Sequence, residues 1–144
     1  MPKVKYLADV NILIALLDED HIHHKLVVKW FDATDEDEFG VCAITEAGFL
    51  RVTTNPKAGW NTIETALDSL ASLNNHSGYR FWSISQGWST LAAPFMERVF
   101  GHQQITDAYL LGLAVKQGGV LVTMDKGIRY MAGPKYSKHV LILE

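Results

Sequence analysis

The chain has one cysteine, Cys42, in 144 residues, so no intramolecular disulfide can form and no thiol pair is available for redox or zinc chemistry. Its neighbours in FGVCAI are apolar, and Cys42 reads as a small core residue. No apolar run approaches the about 20 residues that a membrane-spanning helix needs. The N-terminal MPKVKYLADV lacks the apolar stretch and small-residue cleavage site of a secretory signal, so a cytoplasmic protein is expected. Positive charge is scarce: 13 Lys and Arg against 16 Asp and Glu leave a net charge of −3. A domain gripping nucleic acid through a broad phosphate-neutralising face would be basic, so a nucleic-acid role here needs a local basic rim or bound cations. Repeats, low-complexity tracts and linkers are missing too, and the length suits a single domain over 1–144.

What is present is an alternation of short apolar runs with helical patterns. VKYLA reads as a strand followed at once by the helix VNILIALLD, and HHKLVVKWFDAT as a second helix with Leu26, Val27, Trp30 and Phe31 on one side. FGVCA is the next strand and TEAGFLRVTT the next helix, ended by Asn55-Pro56 because the residue before proline disfavours helical geometry. NTIETALDSLASLNN is helical by the spacing of Ile63, Leu67, Leu70 and Leu73. YRFWSIS reads as a short strand, and STLAAPFMERVF as a helix bent or started near Pro94. TDAYLLGLAVKQG is a long apolar helix stopped by Gly118-Gly119, followed by the buried strand GVLVTMD and a last strand HVLILE. The acidic patch from Asp35 to Glu38 reads as a solvated turn. Strands separated by helices predict an α/β fold whose central, mainly parallel sheet is covered on both faces.

Against that pattern four carboxylates stand out. Asp9 follows the first strand, Glu46 lies just beyond the second, Asp107 opens the long helix and Asp125 follows LVTM. In an open α/β sheet the ligand crevice lies outside the carboxyl ends of the strands, so residues at these turns converge despite their distance in sequence. Each acid alone also reads as a helix cap that accepts backbone N–H bonds and complements the dipole. Capping leaves the dense apolar surroundings unexplained, since Ser, Thr or Asn caps equally well. Four acids in one mouth repel one another unless they are protonated or neutralised by divalent cations, and an oxygen-only set points to Mg²⁺ or Mn²⁺ rather than zinc.

The stretches LADVNILIALLDEDHIHHKLVVKWF, CAITEAGFLRVTTNP and ITDAYLLGLAVKQGGVLVTMD, taken in order, resemble a PIN domain of the VapC type, the ribonuclease toxins of toxin–antitoxin pairs. The resemblance runs through nearly the whole chain, with Gly59 to Glu97 carrying little of it. It implies a three-layer α/β/α fold and an acidic metal site formed by Asp9, Glu46, Asp107 and Asp125, with Mg²⁺ as cofactor and Mn²⁺ as a substitute. Asn11 falls where the family often has Ser, Thr or Asn, which implies that it orients Asp9. Thr106 and Thr123 lie beside acids, although Thr106 reads equally as an N-cap and Thr123 as an ordinary strand residue. The resemblance also implies RNA as substrate, a homodimer, and a VapB-like antitoxin that covers the acidic mouth.

For RNA to approach a net-negative chain, Arg51, Arg98, Lys116, Lys126 and Arg129 are the candidate guides, each of which reads equally as ordinary surface charge. The histidines His21, His23 and His24 are spaced unlike a facing metal pair and read as solvent-exposed, and His102 as a loop residue. Trp60, Trp82 and Trp88 read as core or interface packing. Two rival functions fit the same pattern. An aspartyl-nucleophile phosphoryl-transfer enzyme also places acids at strand ends, but would want a second acid at the position of Asn11 or an essential lysine after a late strand, where Lys126 instead follows Asp125 directly; a metal-free RNA-binding module would not need the full acid set.

Overall fold

The computed structural model describes residues 3–57 and 61–144, so Trp60 lies outside the described residues. Its five strands are β1 (Lys5–Ala8), β2 (Glu38–Cys42), β3 (Tyr79–Trp82), β4 (Val120–Thr123) and β5 (Val140–Ile142). They form one sheet in the order β3-β2-β1-β4-β5, every neighbouring pair parallel. The helices α1 (Val10–Leu17), α2 (His24–Ala33), α3 (Ala43–Thr53) and α4 (Ile63–Ala71) fill the connections from β1 to β3, and α5 (Trp88–Ala92), α6 (Ile105–Lys116) and α7 (Gly127–Tyr136) those from β3 to β5.

The sheet separates two cores. On one side Ala8, Val41 and Val122 pack with Ile12, Leu13, Val27, Phe49 and Leu70 of α1 to α4. On the other, Leu7, Cys42 and Leu121 pack with Leu91, Leu110, Leu111, Ile128 and Met131 of α5 to α7. Successive strand residues point to opposite faces, and because both faces are dry the strands read as continuous apolar runs. The three-layer α/β/α expectation therefore holds. The chain grows outward from β1 through β2 to β3, then returns to build β4 and β5 on the other side of β1. With right-handed crossovers this reversal puts the two helix sets on opposite faces and opens a crevice at the carboxyl ends of β1 and β4.

Several local expectations shift. Glu38, placed in a solvated turn, instead begins β2 and meets Arg80 of β3 at 3.6 Å. The helical segment expected to bend or start near Pro94 does change there: α5 ends at Ala92 and Ala93–Arg98 continues as a 3-10 helix with proline in its first turn. Helix α4 begins after the Thr62 cap, but its Ile63 and Leu67 are exposed at 60% and 49%, so Ala66, Leu70 and Leu73 make the buried side. His24 is not solvent-facing in the way expected; its Nδ1 lies 2.7 Å from the Ala15 carbonyl oxygen and ties α2 to α1. Helix α6 ends as expected: Gly118 takes φ +68°, its N–H donates to Val115 and that of Gly119 to Ala114, closing a Schellman motif. Helix α7 occupies a segment to which sequence reading gave no element.

Candidate metal and nucleic-acid site

Asp9 is the first residue past β1 and caps α1, yet it is only 7% exposed. Burial of a carboxylate this deep demands partners for its oxygens. Oδ1 accepts from the Val10 N–H at 2.7 Å, and Oδ2 accepts from the Thr123 hydroxyl at 2.7 Å. Both readings of this residue are thus realised, the cap by one oxygen and the cross-sheet contact by the other.

Thr123, the buried last residue of β4, is the hub of the crevice. While donating to Asp9, its Oγ1 accepts from the Asp125 N–H at 3.0 Å and from Asn11 Nδ2 at 3.3 Å. The other end of the Asn11 amide accepts from the Met124 N–H at 3.2 Å. Asn11 therefore clamps the turn after β4 onto α1. Asp125 Oδ1 accepts from the Gly127 N–H at 2.9 Å, which fixes how α7 leaves the same turn.

Asp107 enters from the first turn of α6 and is half-buried. Burial first, then the charges of Asp9 and Asp125, push its carboxyl up to about 7. Burial also raises Asp9, against the lowering effect of the Thr123 and Val10 hydrogen bonds, with the Asp125 charge adding to the rise. These three acids, far apart in the chain, feel one another's charge. Glu46 stands in the first turn of α3, half-buried, and its charge acts on the Tyr79 phenol, whose pKa is raised by burial and then by Glu46.

The donors are all oxygen, and their mutual repulsion is what a divalent cation relieves, so the residues fit Mg²⁺ or Mn²⁺ by chemistry and charge. Among the described residues no three His, Cys, Asp or Glu side chains close on one point as a metal cage. The fit rests on donor type and electrostatic coupling.

Thr106 is exposed at the second position of α6 and does not cap it, since Gln104 holds the cap position without a side-chain bond. The hydroxyl joined to the acids belongs to Thr123, and the one sequence signal for it is a threonine closing an apolar strand two residues before an aspartate. Of the candidate cations, Arg98, Lys126 and Arg129 line a single groove of about 540 Å³ beside the Asp125 turn. Arg51 is exposed in the last turn of α3, at the other end of that helix from Glu46, and Lys116 is about 14 Å along α6 from Asp107 at a rise of 1.5 Å per residue. Trp82 is buried in the core, and the Trp88 indole donates to the Ile105 carbonyl at 2.8 Å.

Comparison with known proteins agrees with this fold. The PIN domain family model matches residues 6–134. Ribonuclease VapC44 of Mycobacterium tuberculosis is 36% identical over 139 residues, covering 96% of this chain and 98% of that protein. Ribonuclease VapC38 of the same species is 39% identical over 128 residues, 88% of this chain and 89% of the relative. In the crystal structure of VapBC2 from Rickettsia felis bound to a DNA fragment from their promoter, a chain superposes with a TM-score of 0.70 at 12% identity, covering 98% of this chain and 100% of that one. No described helix is long and apolar enough to cross a membrane. With the family model matching residues 6–134 and VapC ribonucleases 36% and 39% identical over most of the chain, the chain belongs to the PIN-domain family, among its VapC ribonucleases.

Proposed function

We propose that this protein is an endoribonuclease toxin that hydrolyses RNA phosphodiesters with a divalent cation, Mg²⁺ or Mn²⁺, held by Asp9, Glu46, Asp107 and Asp125. The observation that carries the reading is the coupling of Asp9, Asp107 and Asp125 at the crevice, in a chain whose relatives are named ribonucleases. When bound, the cation supplies a water of lowered pKa and offsets the charge that builds on the phosphoryl group. The chain's own residues do the rest. Thr123 and Asn11 hold Asp9 and the Asp125 turn in fixed relation, so that the acidic edge is shaped before substrate arrives. Asp107, raised to about 7 in the metal-free chain by burial and then by Asp9 and Asp125, is a carboxyl from which a cation would displace a proton near neutral pH. Arg98, Lys126 and Arg129 supply the local basic rim that a chain of net charge −3 needs to meet RNA.

The aspartyl-nucleophile alternative is disfavoured by Asn11, whose amide is engaged at both ends as a clamp. We extend the proposal to a VapB-like antitoxin as partner, a homodimer, and a cytoplasmic location. The test is cleavage of total cellular RNA by the purified protein in Mg²⁺, Mn²⁺ and EDTA, with ends mapped by sequencing. Discrete metal-dependent ends that vanish in Asp107→Asn are expected; a fully active, metal-dependent Asp107→Asn protein would sink the assignment.

A further inference from the structure

We propose that the groove between the 3-10 segment Ala93–Arg98 and α7 is a subsite for the RNA strand next to the scissile bond, with Arg98 and Arg129 on its phosphates and Tyr130 beneath one base. The inference rests on the ribonuclease reading and adds to it a place, a stacking platform and a residue that shapes it.

Arg98, Lys126, Arg129, Tyr130 and Gly133 line the groove. Among the described residues neither Arg98 nor Arg129 has an ion-pair partner within 4.0 Å, whereas Lys126 is held at 2.9 Å by Glu144 in an exposed pair. Two unpaired guanidiniums converging in an acidic chain are arranged for phosphates, which a planar fork of N–H donors binds bidentately. The anion beside these cations is Glu144, whose carboxyl is lowered first by its hydrogen bond with Lys126 and less by Arg129, and Asp125 precedes Lys126 in the turn that leads into α7. Cations on one side and acids on the other give a strand a direction, backbone on the rim and scissile group toward the acids.

Tyr130 is 62% exposed and has no ring contact among the described residues. Folding gains little from an aromatic ring in water, whereas single-stranded nucleic acid stacks on such rings without regard to base identity. Gly133 explains how Arg98 reaches this side. It breaks α7 at φ +64°, and a Cβ built there lies 2.5 Å from Arg98 Nη1 and 2.8 Å from its Cζ. The guanidinium thus occupies the space a side chain would take, in a backbone conformation that glycine adopts without strain. An acidic peptide would satisfy the arginines, but it gives Tyr130 no comparable stacking partner and the groove no reason to adjoin Asp125.

The test uses the full chain carrying Asp107→Asn, so that the probe survives, and measures binding of a fluorescein-labelled oligouridylate by anisotropy across a salt series. Arg98→Ala and Arg129→Ala should each weaken binding and reduce the log–log salt slope by about 0.7, the value for one phosphate contact on a single strand. Tyr130→Ala should weaken binding roughly tenfold and Tyr130→Phe should restore it, because stacking needs the ring and not the hydroxyl. Gly133→Ala should behave like Arg98→Ala, and melting curves separate a displaced arginine from a misfolded protein. Lys25→Ala, at an exposed position of α2, is the unchanged control. In the cleaving protein the groove variants should raise KM while kcat stays within about twofold. Binding and KM that ignore all four groove substitutions overturn the subsite while leaving the ribonuclease intact. A wild-type protein that binds the probe through the groove yet cuts no RNA overturns the ribonuclease reading instead. Normal RNA binding with loss of an acidic peptide assigns the groove to a protein partner and refutes the RNA subsite.

Discussion

Asp107→Asn should make the metal-free protein more stable, not less. In the folded chain this carboxyl is raised from 3.8 to about 7, mainly by burial and then by Asp9 and Asp125. Between those two values the folded state holds a proton that the unfolded chain has released. The contribution of Asp107 to stability is therefore greatest below about pH 4, falls as pH rises toward about 7, and stays low beyond it. The shift corresponds to about 4 kcal/mol at 1.36 kcal/mol per unit, and since Asp107 is only partly buried, solvent screening reduces this to about 2 kcal/mol. Asparagine carries no charge to bury, so at pH 8 in EDTA the variant should exceed wild type by about 2 kcal/mol, or about 6 °C in melting temperature for a chain of this size. At pH 4 the two should coincide. Urea titrations at pH 4, 6 and 8, followed by tryptophan fluorescence, isolate the crevice, because groups outside it contribute equally to both proteins, and relief of Asp9 and Asp125 in the variant acts with the same sign. Adding Mg²⁺ at pH 8 should then stabilise wild type and not the variant, as ligand binding to the native state alone requires. A stability difference that is flat from pH 4 to 8, or a variant less stable at pH 8, refutes the claim that repulsion and burial are concentrated on this acid.

Two further substitutions test the crevice and the packing behind it. Thr123→Val keeps the shape but removes a charge-assisted bond to Asp9 and the acceptor for Asp125 N–H and Asn11; it should destabilise by about 3 kcal/mol at pH 7 in urea unfolding, with Thr123→Ser recovering most of the loss, and a change under about 0.5 kcal/mol would remove Thr123 from its central place. Gly112→Ala in the middle of α6 should destabilise by about 2 kcal/mol although alanine is the better helix former, because the new Cβ would lie 2.1 Å from the Leu91 carbonyl oxygen of α5; a stabilised variant in thermal melts would show that α5 yields freely.

The sequence made the sheet readable because strands covered on both faces carry runs of apolar side chains, as in VLV of β4 and the end of β2. The acids were readable for a related reason: Asp9 and Asp125 interrupt apolar text at strand ends, where a parallel sheet gathers its ligands. Helix α7 was hidden because Gly127, Gly133 and Pro134 read as breakers, and it does break at Gly133 while packing Ile128, Met131 and Ala132 into the core. Thr123 was ambiguous because its partner Asp9 is 114 residues away, and a threonine in a strand needs no explanation until that partner is beside it. The grouping of Arg98 with Arg129 was equally beyond local pattern, since it depends on the kink at Gly133 that sequence reading left without an element.

The choice of partner for Asp9 determines what the crevice is for. A lysine or arginine in place of Thr123 would satisfy the carboxylate, lower its pKa and leave no unbalanced charge to bind anything. A hydroxyl orients Oδ2 with a short bond yet brings no positive charge, and the Val10 N–H does the same for Oδ1. Those two bonds use about half of the roughly four acceptor sites of a carboxylate. Asp9 is thus positioned without a counter-charge, and burial first, then the charges of Asp9 and Asp125, raise the pKa of Asp107. Proton and divalent cation compete for the same deficit, so cation affinity should rise across the pH range in which the metal-free fold weakens. Any substitution that quiets the crevice, such as Asp107→Asn, should gain stability and lose cation affinity together.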